Sequence, residues 1–272
     1  MPNFKMYEIS SITSLNVVFA GTHGPTLIFL HFWGGSSPTF SSITGILSPK
    51  HRTIAVDFRG WGESTGPQTP DAYSIIELAS DVETLIAQLQ IDEFTLIGHS
   101  MGGKVAQLIA GRGIVKGLKG LILIAPAPPT PLVLPADMKA AQMSAYSTSE
   151  SAEFVVRNVL SGSPIHGESV AMLVEDMLKG NAFARDAWPV YAMLEDISAE
   201  AREIKVPVLI VAGGLDKIEP MERLKSEVLG NIVHAGTKKE LVVVEGSRHL
   251  LPVEAPLEVA QHIEQFVGEI LD

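Results

Sequence analysis

Ser100 stands between two glycines in the run Leu96-Ile97-Gly98-His99-Ser100-Met101-Gly102-Gly103. A serine hydroxyl is a poor nucleophile at neutral pH. It reacts when an imidazole takes its proton and a carboxylate holds that imidazole in the right tautomer. The G-x-S-x-G spacing suits this use, because glycines two positions to either side permit a turn too sharp for a Cβ and push one hydroxyl outward. Among the eight histidines, His249 is the best candidate base. Asp216 is the candidate acid, ranked above Glu219, Glu245 and Glu254, with Glu219 kept as the alternative. His99 is expected to turn away from Ser100 into the fold and His31 to serve as a hydrogen-bonding strut. His23, His51, His166, His234 and His262 have no partner at a useful spacing, so a structural role is the default for each.

Positioning these groups needs strands that end where the chemistry begins. Phe94-Thr95-Leu96-Ile97 reads as a strand and Met101 to Arg112 as a helix with Val105, Leu108 and Ile109 on one face, so strand, turn and helix follow in the order the serine motif requires. Leu15 to Ala20 and Thr26 to Leu30 read as strands joined by Gly21-Thr22-His23-Gly24-Pro25, a hairpin by its length and glycine content. Thr53 to Asp57, Leu121 to Ala125, Val206 to Ala212 and Leu241 to Val244 complete the apolar strand runs. Continuously apolar strands of this kind suit a sheet covered on both faces. A helix starts after Ser74, where Ser74 and Glu77 suggest a capping box and Ile75, Leu78, Val82, Leu85, Ile86 and Leu89 form the apolar stripe. The last helix carries Val259, Ile263, Phe266, Val267 and Ile270 on one side. Helices near Met221 to Leu229 and at the C-terminus alternate with the last strands, which implies an α/β class with a mostly parallel central sheet flanked by helices.

From Pro126 strand-like runs vanish for almost eighty residues, and helical segments over Ser149 to Leu160, Glu168 to Lys179 and Ala184 to Leu194 take their place. The expected organisation is therefore a core in two parts, 1–125 and 205–272, with a helical insertion at 126–204 over the strand ends. Met138, Met143, Met172, Met177 and Met193, with Tyr146, Trp188 and Tyr191, are candidates for an apolar cavity lining, against the plainer reading as a packing face. Arg59 and Asp57, charged and close together, are expected to lock a loop.

Composition narrows the function classes. The chain has 272 residues, 46% of them hydrophobic, enough for one large core. Its 20 basic and 31 acidic residues give a net charge of −11, a field that repels phosphate backbones, so no nucleic-acid partner is expected. There is no cysteine, which excludes disulfides and thiolate metal sites and is compatible with a reducing cytosol; a cytoplasmic location is the expectation. The start Met1-Pro2-Asn3-Phe4-Lys5 lacks the pattern of a secretory signal. The longest uncharged stretch, between Lys119 and Asp137, is broken by Pro126, Pro128, Pro129, Pro131 and Pro135, so no membrane partner is expected. No H-E-x-x-H and no strand-borne G-x-G-x-x-G occurs, and neither metal nor cofactor is expected. Assembly into a homo-oligomer is permitted by this sequence.

The chain order Ser100, Asp216, His249, each just past a predicted strand end, resembles the α/β-hydrolase family over essentially the full length. Asp57-Phe58-Arg59-Gly60-Trp61-Gly62-Glu63-Ser64 is similar to that family's D-x-R-G-x-G-x-S loop, and His249-Leu250-Leu251-Pro252-Val253-Glu254-Ala255-Pro256 to the segment following its histidine. The resemblance implies an α/β-hydrolase fold with the insertion as a helical cap. It also implies an oxyanion hole made by the backbone N–H of Met101, at a helix start, and of Trp33, in the loop that matches the family's H-G-x segment. Phe32 stands where many members have glycine, so Phe32 remains the alternative donor. The implied function is a serine hydrolase acting on a small to medium, uncharged, moderately apolar carboxylic ester, a small-molecule substrate, through an acyl-enzyme. Carbon–carbon bond hydrolysis, lactone opening, perhydrolysis or cofactor-free haloperoxidase activity use the same triad, and a small-ligand receptor on this fold is the alternative from another class.

Overall fold

The computed structural model describes residues 3–234 and 236–271. Eight strands form one sheet: β1 (Asn3–Ser10), β2 (Thr13–Ala20), β3 (Thr26–Leu30), β4 (Arg52–Val56), β5 (Phe94–His99), β6 (Leu118–Ile124), β7 (Val208–Gly213) and β8 (Lys239–Val244), in the order β1-β2-β4-β3-β5-β6-β7-β8. The pairs from β4 through β8 are parallel, and β2 runs antiparallel to both β1 and β4. This is the fold class read from the sequence.

The strands are apolar throughout because both faces are covered. Leu27 and Phe29 of β3 pack with Phe40, Ile43, Ile263 and Phe266, the last two from the helix Pro256–Leu271. Ile28 and Leu30 face the other way, toward Leu78, Val82, Val105 and Leu108 of the helices Ile75–Leu89 and Met101–Arg112. Ser74 caps the first of these, its side chain accepting the Glu77 N–H. Buried residues Ile75, Leu78, Val82, Leu85 and Ile86 realise the predicted stripe.

The expected hairpin between Leu15–Ala20 and Thr26–Leu30 does not form, because β4 lies between β2 and β3. The turn packs against the chain leading into β4: a Cβ at Gly21 would stand 2.0 Å from the His51 carbonyl oxygen, and one at Gly24 would stand 1.9 Å from that of Lys50. β2 makes its hairpin with β1 instead, a strand that is mostly exposed, with Tyr7 and Ile9 half-buried.

Between the neighbouring strands β6 and β7, residues 126–204 supply no strand among the described residues. Helices run over Ala136–Ser144, Ser149–Phe154, Gly167–Lys179, Ala182–Val190 and Ser198–Ala201, with a π-helical turn at Val155–Leu160 continuing the second. The helix Ala136–Ser144 buries no residue, and its lack of an apolar stripe explains why periodicity misses it. Met138 and Met143 lie on this helix 48% and 43% exposed, whereas Met177, Met193, Tyr146 and Trp188 are buried. The segment's two ends are tied together: the Leu132 N–H donates to the Met193 carbonyl and the Ile197 N–H to that of Pro129, both at 2.8 Å.

Candidate active site

The chain order reverses at β3: the next two strands in the chain, β4 and β5, lie on opposite sides of it in the sheet. In open parallel sheets such a switch point leaves a crevice beyond the strand C-termini. β5 ends at His99, the helix begins at Met101, and Ser100 turns the corner at φ 54° and ψ −113°. A positive φ at a residue with a side chain is strained by about 1–3 kcal/mol and persists only where the surroundings enforce it. They do so through close packing. A Cβ at Gly98 would stand 2.3 Å from the Gly102 carbonyl oxygen, and one at Gly102 would stand 2.3 Å from that of Leu30 and 2.6 Å from that of His31. Gly102 thus lets the helix start sit directly against the loop that follows β3.

The structure brings Ser100, His249 and Asp216 together. Ser100 Oγ lies 2.9 Å from His249 Nε2, and His249 Nδ1 lies 2.8 Å from Asp216 Oδ2. An ionised Asp216 only accepts, so Nδ1 carries the imidazole proton and Nε2 is left to accept from the serine hydroxyl. All three side chains are buried. Burial pulls the His249 pKa down, but the charge and hydrogen bond of Asp216, with the charge of Glu254, outweigh it and hold His249 above the ordinary imidazole value. Burial alone would raise Asp216; His249 and the amides of Ile218 and Glu219 reverse this and keep it below the usual carboxylate range. Those amides donate to Asp216 Oδ1 at 2.8 and 3.2 Å, which fixes the carboxylate plane.

The alternative acid is occupied elsewhere. Glu219 is fully buried, and its carboxylate accepts from Arg223 at 3.2 Å; burial, only partly offset by Arg223 and His249, pushes its pKa up to about 8. Glu254 accepts from the N–H groups of Gly162, Ser163 and Arg248. Arg59 grips both oxygens of Asp81 and one of Glu77, while Asp57 accepts from Ser37 N, Asn16 Nδ2 and Glu63 N, so both hold loops in place.

His31 is the strut expected of it. Its Nδ1–H donates to the Phe32 carbonyl at 2.7 Å, Nε2 accepts the Phe58 N–H at 3.0 Å, and burial lowers its pKa to about 4, leaving it neutral. Trp33 follows in the same loop with its indole N–H on the Arg185 carbonyl at 2.9 Å and its own carbonyl accepting from the Tyr146 hydroxyl at 2.9 Å. The two rings pack at 4.1 Å between centroids. Gly34, at φ 93°, lies close enough to Tyr146 that a Cβ there would reach 2.5 Å from the ring.

Two features escape the sequence. His99 is fully buried, and its Nε2 lies 2.8 Å from the backbone carbonyl of His249. The N–H groups of His249 and Leu250 both donate to the Leu160 carbonyl, at 2.9 and 3.1 Å, so the loop of the base leans on residues of the helical segment. Partners 150 and 89 positions away leave no periodic signal.

Among the described residues, no group of three or more histidines, aspartates and glutamates could hold a metal ion, and no helix is long and apolar enough to cross a membrane. Comparison with known proteins gives a consistent family. A serine hydrolase-like protein of Danio rerio is 34% identical over 93 residues, which is 34% of this chain and 28% of that protein. A non-heme chloroperoxidase of Kitasatospora aureofaciens is 26% identical over 247 residues, 83% of this chain and 85% of its own length. The solved structure of an esterase from Exiguobacterium antarcticum superposes with a TM-score of 0.82 over 98% of this chain and 100% of that one; at 22% identity, the likeness is one of fold. The model of the alpha/beta hydrolase family matches residues 18–262, and the chain belongs to that family.

Proposed function

We propose that the protein is a serine hydrolase that cleaves a small to medium, uncharged, moderately apolar carboxylic ester through an acyl-enzyme. The observation that carries this reading is the hydrogen-bonded run from Ser100 Oγ through His249 to Asp216, with the tautomer fixed by the carboxylate. Ser100 Oγ attacks the ester carbonyl while His249 Nε2 takes its proton. The resulting imidazolium is stabilised by Asp216 and gives that proton to the departing alkoxide, which leaves as the alcohol. Water then enters, His249 removes its proton, the hydroxide attacks the acyl carbon, and collapse of the intermediate returns the proton to Ser100 and frees the acid.

In this reading the tetrahedral oxyanion lies against the backbone N–H of Met101, the first residue of its helix, and that of Trp33. One such donor is worth about 3–4 kcal/mol in the transition state. Residues 126–204 act as a cap over the strand ends. The apolar preference rests on the cap's buried aromatic and methionine side chains and on its lack of a basic cluster.

Hydrolysis of p-nitrophenyl esters of increasing acyl length by the wild type and by Ser100→Ala tests the assignment. Turnover that peaks at one length and vanishes in the variant supports it; multiple turnover unchanged by Ser100→Ala removes this serine from the mechanism. A second reading, perhydrolysis, is favoured by the likeness to a non-heme chloroperoxidase over most of both chains. Hydrogen peroxide in place of water would attack the acyl-enzyme and release a peracid, so peroxide-dependent halogenation that needs both a carboxylic acid and Ser100 would support it.

A further inference from the structure

We propose that His99 is a positioning residue for the base: from the position before the nucleophile, its imidazole holds the backbone carbonyl of His249 and so aims Nε2 at Ser100. This inference rests on the reading of Ser100 and His249 as nucleophile and base. The loop carrying His249 has no strand or helix of its own between β8 and the short helix Leu251–Glu254, so its geometry depends on point contacts. The others run elsewhere: Arg248 reaches the carbonyls of Asn158 and Ser161, the N–H groups of His249 and Leu250 reach Leu160 in the helical segment, and the Ser247 carbonyl accepts from Leu215 N–H. Among the described hydrogen bonds of residues 247–250, the 2.8 Å contact to His99 ties the backbone to the strand that bears the nucleophile. It fixes His249 at its own carbonyl, one bond from the Cα that sets the ring's direction.

The surroundings leave no substitute. His99 and His249 are 0% and 2% exposed, so water does not replace the donor, and a buried carbonyl without one is costly. The imidazole is also wedged in place, its ring centroid 5.3 Å from that of His249 and 5.1 Å from that of Phe32 in the loop after β3. Donation to a carbonyl requires the proton on Nε2, while Nδ1 is buried without a partner. Burial, reinforced by the nearby His249 charge, lowers the His99 pKa to about 3, so it stays neutral while the base beside it cycles. A residue that merely fills the core would need no donor at this point.

The test uses two polar replacements that differ in reach. The amide nitrogen of His99→Gln can occupy the place of Nε2, whereas that of His99→Asn falls short. With p-nitrophenyl acetate, His99→Gln is expected to keep kcat within about 3-fold of wild type, and His99→Asn to lose roughly 10- to 100-fold with KM unchanged. Fluorophosphonate labelling of Ser100, which also needs the base, should slow in the same proportion. Equal kcat in wild type, Gln and Asn variants, or equal loss in both, overturns the proposal. If His99→Asn does not fold, nitrogen-15 spectra of the wild-type protein decide: a proton on His99 Nε2 coupled to the His249 carbonyl carbon supports the bond, and a proton on Nδ1 overturns it. Turnover that survives Ser100→Ala overturns the reading of the site and this inference with it. Turnover that needs Ser100 but is indifferent to the His99 donor overturns this inference alone.

Discussion

An alanine Cβ at Gly102 would stand 2.3 Å from one backbone oxygen and 2.6 Å from a second, whereas at Gly45, in the helix Ser41–Leu47, it would meet nothing within 4 Å. Backbone oxygens of a buried strand end cannot swing aside, so Gly102→Ala forces the helix away from the loop after β3. Gly45→Ala only removes conformational freedom from the unfolded chain. We expect Gly45→Ala to raise stability by about 0.5–1 kcal/mol with unchanged hydrolase activity. Gly102→Ala should lose more than about 2 kcal/mol or fail to accumulate folded; urea denaturation of the two variants reads the contrast directly. At the same scale, the raised pKa of His249 fixes a pH dependence. In the proposed mechanism His249 accepts a proton only when neutral, so kcat/KM should rise with pH through an apparent value above 6.5. Asp216→Asn removes the charge that raises it, so the acid limb should move to lower pH. The amide also disfavours the Nδ1–H tautomer, and kcat should fall by about 10⁴-fold. A pH profile of the Asn variant whose acid limb stays in place would contradict this account of the shift.

At the scale of elements, the serine turn, the aspartate and the histidine were legible because each lies within five residues of the end of a strand, and strand ends are marked locally by glycine and charge. Which strands become neighbours was not. The five residues between β2 and β3 carry a hairpin's composition, but the chain from Ser48 to His51 passes against Gly21 and Gly24, and β4 pairs where β3 was expected. That choice is made by contacts about 30 positions away. Within residues 126–204, helices with an apolar face were found and the exposed one over Ala136–Ser144 was not, for periodicity reports burial rather than helicity. Lys104, an unremarkable helical lysine in sequence, proves fully buried, with Nζ on the carbonyls of Thr130 and Met193 at 3.1 and 3.3 Å. Burial lowers its pKa to about 8 against the opposing pull of Glu195, Asp196, Glu219 and Glu227. The ammonium thus joins the two ends of the helical segment to the helix that follows Ser100. Lys104→Met leaves the Thr130 carbonyl without this donor, and we expect a loss of about 1–2 kcal/mol. Limited proteolysis should cut within 131–192 faster than in the wild type; an unchanged cleavage rate would mean the lysine does not hold the segment's ends.

For the whole molecule, the helical segment shares one core with the sheet: Val156, Leu173, Met177, Trp188 and Met193 belong to the same buried cluster as Ile28, Leu30 and Leu96. A second polar tie lies far from Lys104. Asp176, on the helix Gly167–Lys179, accepts the Ser36 hydroxyl at 2.5 Å, and Ser36 lies in the loop that also carries Trp33. Burial raises the Asp176 pKa to about 6, assisted by the charges of Asp57 and Glu175 and opposed by the Ser36 hydrogen bond and Lys179. A folded pKa above the unfolded value of 3.8 means that the native state holds this proton more tightly. The contribution to stability is therefore full below about pH 4, declines as pH rises toward about 6, and is a constant penalty of about 1–3 kcal/mol above that. Asparagine accepts the Ser36 hydroxyl without a charge. Asp176→Asn should accordingly raise the melting temperature at pH 8 and leave it unchanged at pH 4, because the wild-type side chain is already neutral there. Thermal unfolding of both proteins across that range measures the difference curve. A gain that is the same at pH 4 and pH 8 would show that the charge of Asp176 is not what the variant relieves, and a loss at pH 8 would mean that the ionised carboxylate stabilises the contact between the helical segment and the loop.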